Sequence, residues 1–211
     1  MTTSYKILIS DRNYSEWIIY DALSLNELVD KIDIQPSTNK LFSGDTFEYD
    51  SNQSICESND KKIKLLHSCV RSMPSIPGIL VLKDGKTFGK HKDKFLYKCI
   101  PDDKRFPIFT VPYALKVGFS KNIDNKYVVF RFDNWIGKHP QGTIVSVLGD
   151  VDVLSNYYEY QLYCKSLYAS IQNFNKAATD SLKQKTEPEF ISSMIEKYNL
   201  VDRTSEPVFS I

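Results

Sequence analysis

Two hydrophobic spacings divide the chain. Up to about position 150 the apolar residues come in short runs closed by turn residues; beyond it they fall at helical intervals. Tyr5–Ile9 alternates weakly, and Trp17–Tyr20 is a compact β-type run. Ser24–Ile32 breaks the pattern: Leu25, Leu28, Val29 and Ile32 share one helical face, with Ser24 as N-cap, so a helix is predicted there. Gly44-Asp45 interrupts the apolar run from Lys40 to Tyr49, predicting a kinked strand or a turn and strand. The polar stretch from 50 to 64 predicts a surface loop or short linker.

The middle is more regular. Ile79–Leu82 reads as a buried strand, with Asp84-Gly85 as a hairpin turn and Thr87–Lys90 as the start of the return. Phe95–Ile100, Phe109–Tyr113, Tyr127–Phe132 and Thr143–Leu148 follow as strands, separated by Pro101-Asp102-Asp103 and by His139-Pro140-Gln141-Gly142. About five short strands punctuated this way predict a small closed barrel over a sandwich. From Leu154 to Phe174 there is neither Gly nor Pro, and most of it is predicted helical, continuing through Ala177–Lys185. Glu187-Pro188 opens another helix whose apolar face is Phe190, Ile191, Met194, Ile195 and Tyr198. Val208–Ile211 reads as a strand.

Composition narrows the class only a little. The net charge is +1 over 211 residues, so bulk charge predicts no partner. No apolar run reaches the roughly 18 residues of a membrane helix, and the first residues lack a signal-peptide pattern; no membrane partner is expected. Cys56, Cys69, Cys99 and Cys164 make no Cys-x-x-Cys pair, which fits reduced thiols in an intracellular protein, cytoplasmic or nuclear.

Charge is uneven locally. Lys83 to Arg105 holds eight Lys/Arg against four Asp, with His91 beside them and Phe88, Phe95, Tyr97, Phe106 and Phe109 interleaved. Lysines meet phosphates without reading sequence, and aromatic faces stack on any base. Lys90, His91, Lys92, Lys94, Lys98, Lys104 and Arg105 are therefore candidate RNA contacts; the other reading is a solvated hairpin with its aromatics in the core. Trp135 and Lys138 form a further candidate pair, the Trp either stacking a base or plugging a barrel end. Arg131, on an alternating strand, is either an exposed ion-pair residue or an RNA contact. Asp102-Asp103 could hold magnesium, but Asp after Pro101 is also a turn former and Lys104-Arg105 would neutralise the pair; the turn is preferred. His67, His91 and His139 make no metal spacing, and no phosphate loop or nucleophile elbow is present.

Three stretches carry a resemblance. Lys98 to Pro107 is a strand, then Pro-Asp-Asp, a basic pair and Pro; Trp135, His139-Pro140-Gln141-Gly142 and Leu148-Gly149-Asp150-Val151 follow in order. The segment from Glu189 to Ile211 is a helix followed by a strand. Together these resemble the front of the ribonuclease II/R family of 3′→5′ exoribonucleases, with the second cold-shock domain most clearly present. The resemblance implies a mainly β, α+β chain: OB-fold/cold-shock β-barrels followed by a helical C-terminal segment. Residues 1–65 would be a degenerate first cold-shock domain and 75–165 the second. Residues 166–211 would lead into a catalytic domain. It further implies single-stranded RNA as partner, with the remainder of the nuclease or a larger RNA-processing complex. The family's magnesium-binding motif, Asp-Pro-x-Gly-Cys-x-Asp-x-Asp-Asp, is not in this sequence, so no cofactor and no catalytic residue are expected here and the chain is expected to be inactive alone. A stand-alone RNA-binding module and a protein-interaction module are the alternatives.

Overall fold

A computed structural model describes residues 4–26, 34–49, 63–115, 123–167, 169–201, 203 and 205–207. The chain divides into two compact units, Met1–Leu167 and Tyr168–Ile211. Within the first, β1 (Ser4–Ile9), β2 (Trp17–Asp21), β3 (Thr46–Tyr49) and β4 (Ile63–His67) form an antiparallel sheet in the order β2-β1-β3-β4. Alternation sorts its two faces. Ile7, Ile9, Ile19, Phe47 and Ile63 are buried on one; Leu8 and Ile18, opposite each other in the register, are exposed on the other. The β1–β2 loop is organised by Asp11, whose carboxylate accepts from the backbone of Asn13, Ser15 and Glu16 and from the Ser15 hydroxyl. The predicted helix at 24–32 lies mostly outside the described residues; Ser24 itself sits in a turn and donates to Asp21. Most of the 50–64 loop and the strand 208–211 also lie outside them.

A four-residue helix, α1 (Cys69–Ser72), leads into the barrel: β5 (Ile76–Val81), β6 (Lys90–His91), β7 (Lys94–Pro101), β8 (Phe109–Tyr113), β9 (Lys126–Asn134) and β10 (Gln141–Asp150). Five of these close a ring in the order β5-β7-β8-β10-β9 and back to β5. The β8–β10 pairing is parallel, through Thr110 and Gln141; the other four are antiparallel. This is the OB-fold strand order, and the chain is mainly β with an OB-type barrel. Gly78 lies where the ring closes, paired with both Pro101 and Val128. A Cβ there would stand 2.9 Å from the Ile100 carbonyl and from the Phe130 ring, so only glycine lets β5 approach both neighbours. The expected return strand from Thr87 shrinks to Lys90–His91, because the tight turn falls at Lys92-Asp93, with Lys92 at φ 49°, and not at Asp84-Gly85 alone. α2 (Leu154–Cys164) covers the outer side of β5, β9 and β10, packing Tyr160 on Tyr127 (centroids 4.4 Å apart) and on Val129 and Leu148.

The sheet and the barrel share one core. Phe42, fully buried just before β3, stacks on Phe109 of β8 at 5.9 Å and meets Phe132 at 5.6 Å and Trp135 at 4.8 Å. From the β1–β2 loop, Arg12 donates to the carbonyls of Pro101 (2.6 Å), at the end of β7, and Phe106 (3.2 Å), in the β7–β8 loop. The boundary expected between 65 and 75 therefore runs through continuous packing.

α2 ends earlier than the apolar spacing suggests. Ser166 takes a left-handed conformation (φ 57°), its N–H bonds Tyr163 and that of Leu167 bonds Leu162; the two bonds close the helix as a Schellman motif. The second unit holds α3 (Ile171–Lys183) and α4 (Glu187–Tyr198). Ser170 caps α3 through Asn173. Thr186 and Glu189 form a capping box on α4, with Pro188 in its first turn and Asn199 left-handed at its end. No described helix is long and apolar enough to cross a membrane.

Candidate nucleic-acid interface

In an OB barrel the outer face of the second and third strands, with the first–second and fourth–fifth loops, makes the usual concave binding surface. Here those strands are β7 and β8, and the loops are 82–93 and 135–140. The loops meet: the rings of Phe88 and His139 lie 6.4 Å apart, edge to face. Backbone bonds of Phe88 to Leu96 and of Leu96 to Gly89 hold the first loop against β7. Phe88 remains nearly half exposed, at 45%.

Two cations stand within electrostatic reach of His139. Lys98 sits mid-strand on β7 opposite Thr110, half-buried, and Lys138 is exposed on the 135–140 loop. Both act on His139. Burial pushes its imidazole below the ordinary value, Lys138 and Lys98 push it further, and a hydrogen bond with the Ile108 backbone opposes them. The shift favours the neutral imidazole, while the lysines supply the positive charge.

The 135–140 loop is anchored from both sides. Thr110 N–H donates to the Pro140 carbonyl at 2.9 Å, and Trp135 Nε1 donates to the Lys138 carbonyl at 3.4 Å. The Trp135 ring is buried between Phe42 and Tyr14, and the Lys40 ammonium lies 5.7 Å from its centroid. Of the two roles open to it by sequence, Trp135 takes the packing one; its candidacy as a stacking platform is corrected.

The other candidates spread over the barrel. Lys90 lies over the Phe95 ring at 4.7 Å, on the short β6–β7 hairpin with His91, Lys92 and Lys94; this group extends the first loop. Arg131 is exposed on β9, opposite Thr143 of β10. Lys104 is exposed in the β7–β8 loop, but Arg105 is engaged by Asp103 at 2.7 Å. Burial alone would raise the Asp103 carboxyl; the Arg105 hydrogen bond and charge, with Arg12, outweigh it and hold the group below its usual range. Asp102 accepts from the Tyr160 hydroxyl at 3.2 Å. The two carboxylates are thus split between different partners and do not fit a magnesium ion. Among the described residues, no three of His, Cys, Asp and Glu converge as a metal site.

Sequence reasoning left Phe88 among probable core aromatics and set His139 aside for lacking metal spacing. Their signal is topological: each lies on one of the two loops that an OB strand order brings together.

Comparison with protein families finds one relation. Residues 96–160, from β7 to α2, match the Dis3-like cold-shock domain 2 (CSD2). No curated protein matches the chain. The matched segment holds four of the five ring strands, and β5 completes the ring from outside it. Closed OB-type topology and family match agree: residues 96–160 are similar to the Dis3-like second cold-shock domain, a domain of ribonuclease II/R-type exoribonucleases.

Proposed function

We propose that the barrel binds single-stranded RNA across Phe88, Lys98, Lys138 and His139 and guides it toward the catalytic part of a ribonuclease II/R-type exoribonuclease. The carrying observation is the contact between the two loops, which brings the exposed Phe88 ring against His139, an imidazole on which Lys98 and Lys138 both act. Aromatic faces stack unpaired bases of any kind and lysines meet phosphates, so the expected binding is sequence-tolerant. The Lys90–Lys94 hairpin extends the cationic track. In the same reading, the sheet of β1–β4 stands where a first cold-shock domain would, and residues beyond 166 lead toward the catalytic domain. The rest of that nuclease, or a larger RNA-processing complex, is the protein partner, in an intracellular setting.

The test is fluorescence anisotropy with a labelled oligouridine over a salt series. Wild type should show log K falling linearly with log salt. Lys98→Met and Lys138→Met should each weaken binding and flatten that slope by about 0.7, the loss of one single-strand phosphate contact. Phe88→Ala should cost about 1–3 kcal/mol with the slope kept. Wild-type affinity in all three variants would refute this path for RNA. No binding of the oligouridine at any salt would favour an apolar protein-docking surface.

A further inference from the structure

Among the described residues, Lys40 is the cation of the first sheet's side that reaches the proposed RNA loop. It ends the turn 36–40 in a left-handed conformation (φ 58°), far in sequence from the barrel. Its ammonium donates to the carbonyls of Gly137 and Ile136 (3.4 Å for the latter) and lies over the Trp135 ring. Its own carbonyl accepts from Arg71 Nη2 at 2.7 Å, and the Arg71 guanidinium lies over Phe42 (5.6 Å) and Phe132 (5.1 Å). A chain of contacts thus runs from α1 through Lys40 to the peptide groups next to Lys138 and His139.

We infer that Lys40 is a positioning residue, which holds the 135–140 loop in the shape that presents Lys138 and His139 to RNA. The inference rests on the RNA-binding reading above and adds to it a role for the N-terminal sheet: it preorganises a barrel loop and does not itself touch the ligand. The physical ground is that a lysine with its charge spent on two backbone carbonyls fixes backbone. A loop fixed before binding loses less freedom on binding. Gly137 makes the clamp matter more, because a Cβ there would meet nothing within 4 Å and packing therefore does not restrain that residue.

The experiment compares Lys40→Met, Lys40→Arg and Lys138→Met in the whole chain, with the same oligouridine and salt series. Lys40→Met should bind about five- to tenfold more weakly, with the salt slope unchanged, because no phosphate contact is lost. Lys138→Met should weaken binding and flatten the slope. Lys40→Arg keeps donors for the two carbonyls and should restore most of the loss. A second readout needs no RNA. Around His139 stand Phe88, Lys98, Lys138 and the Ile108 backbone; NMR titration of the free Lys40→Met protein should show the imidazole moving up toward its ordinary value as the loop loosens and the ring gains water. Should the Met variant melt, Lys40→Gln, whose shorter neutral amide gives up the ammonium, takes its place in both assays.

The inference is overturned if Lys40→Met keeps both wild-type affinity and the wild-type His139 titration while Lys138→Met still weakens binding. A slope flattened by about 0.7 in Lys40→Met would overturn it too, by making Lys40 a direct phosphate contact. If Lys98→Met and Lys138→Met leave binding unchanged, the RNA reading fails instead. The His139 titration alone then decides whether Lys40 positions the loop.

Discussion

Truncating Phe42 to alanine should destabilise the sheet and the barrel together. The side chain is fully buried and touches rings from three stretches of the barrel: Phe106 at 6.5 Å, Phe109 at 5.9 Å stacked, and Phe132 and Trp135 within 5.6 Å. Phe→Ala in a core costs about 3–5 kcal/mol, and aromatic pairs add about 0.5–1.5 kcal/mol each beyond area. The Arg71 guanidinium would also lose one of its two ring faces. A loss near the top of the range, about 4–5 kcal/mol, is expected, a large share of a domain's typical 5–15 kcal/mol. Urea unfolding followed by fluorescence is suited to the question. The chain has two tryptophans, Trp17 in the sheet and Trp135 beside the barrel. Observed singly, in Trp17→Phe and Trp135→Phe backgrounds, both probes should report one transition in the parent, and Phe42→Ala should move both to lower urea by the same free energy. If the Trp17 signal shifts while the Trp135 signal holds, the shared core does not couple the two layers and the reasoning fails.

Two smaller perturbations test other parts of the packing. Asp45 is fully buried; burial raises its carboxyl pKa, against the Phe42 N–H, Ser68, Arg71 and His67. A raised folded pKa means that the folded state binds the proton more tightly. This contribution to stability is complete below the unfolded value of about 3.9 and is lost as pH climbs through the folded one. The stability of wild type minus that of Asp45→Asn should therefore fall across that window and flatten above it; a difference rising with pH would reverse the assignment. Gly78→Ala should cost about 1–3 kcal/mol in urea melts, since its new methyl meets a backbone carbonyl and the Phe130 ring at 2.9 Å; a neutral result would mean that β5 can pull away from the seam.

How far the sequence carried the reading depended on the range of each signal. Ile79–Val81, Phe95–Ile100, Tyr127–Phe132 and Thr143–Leu148 are strands in the structure, because alternation and the turns around them are local properties. The OB topology followed from their number and spacing with the family resemblance. The end of α2 was not legible: its left-handed position is filled by Ser166 where glycine or asparagine would have signalled it. The place of Trp135 was not legible either, since Phe42 and Tyr14, which enclose it, lie about ninety residues or more upstream. For the same reason the basic strip looked continuous. Its end at Arg105 is spent on Asp103, while Lys98 acts together with Lys138 on His139 from another loop.

The strand order of the barrel also sets a rule for when the chain can become stable. β10 is the last of the ring strands to be made, yet it lies between β8 and β9, and its pairing with β8 is parallel. Until Gln141–Asp150 has been synthesised, β8 and β9 each present an unpaired edge, the kind of surface that joins with other chains. The barrel closes late and through contacts distant in sequence, which slows folding. A fragment that stops before Gln141 carries most of the residues of the barrel and none of its closure. Expressed alone, it is an open sheet that seeks a neighbour.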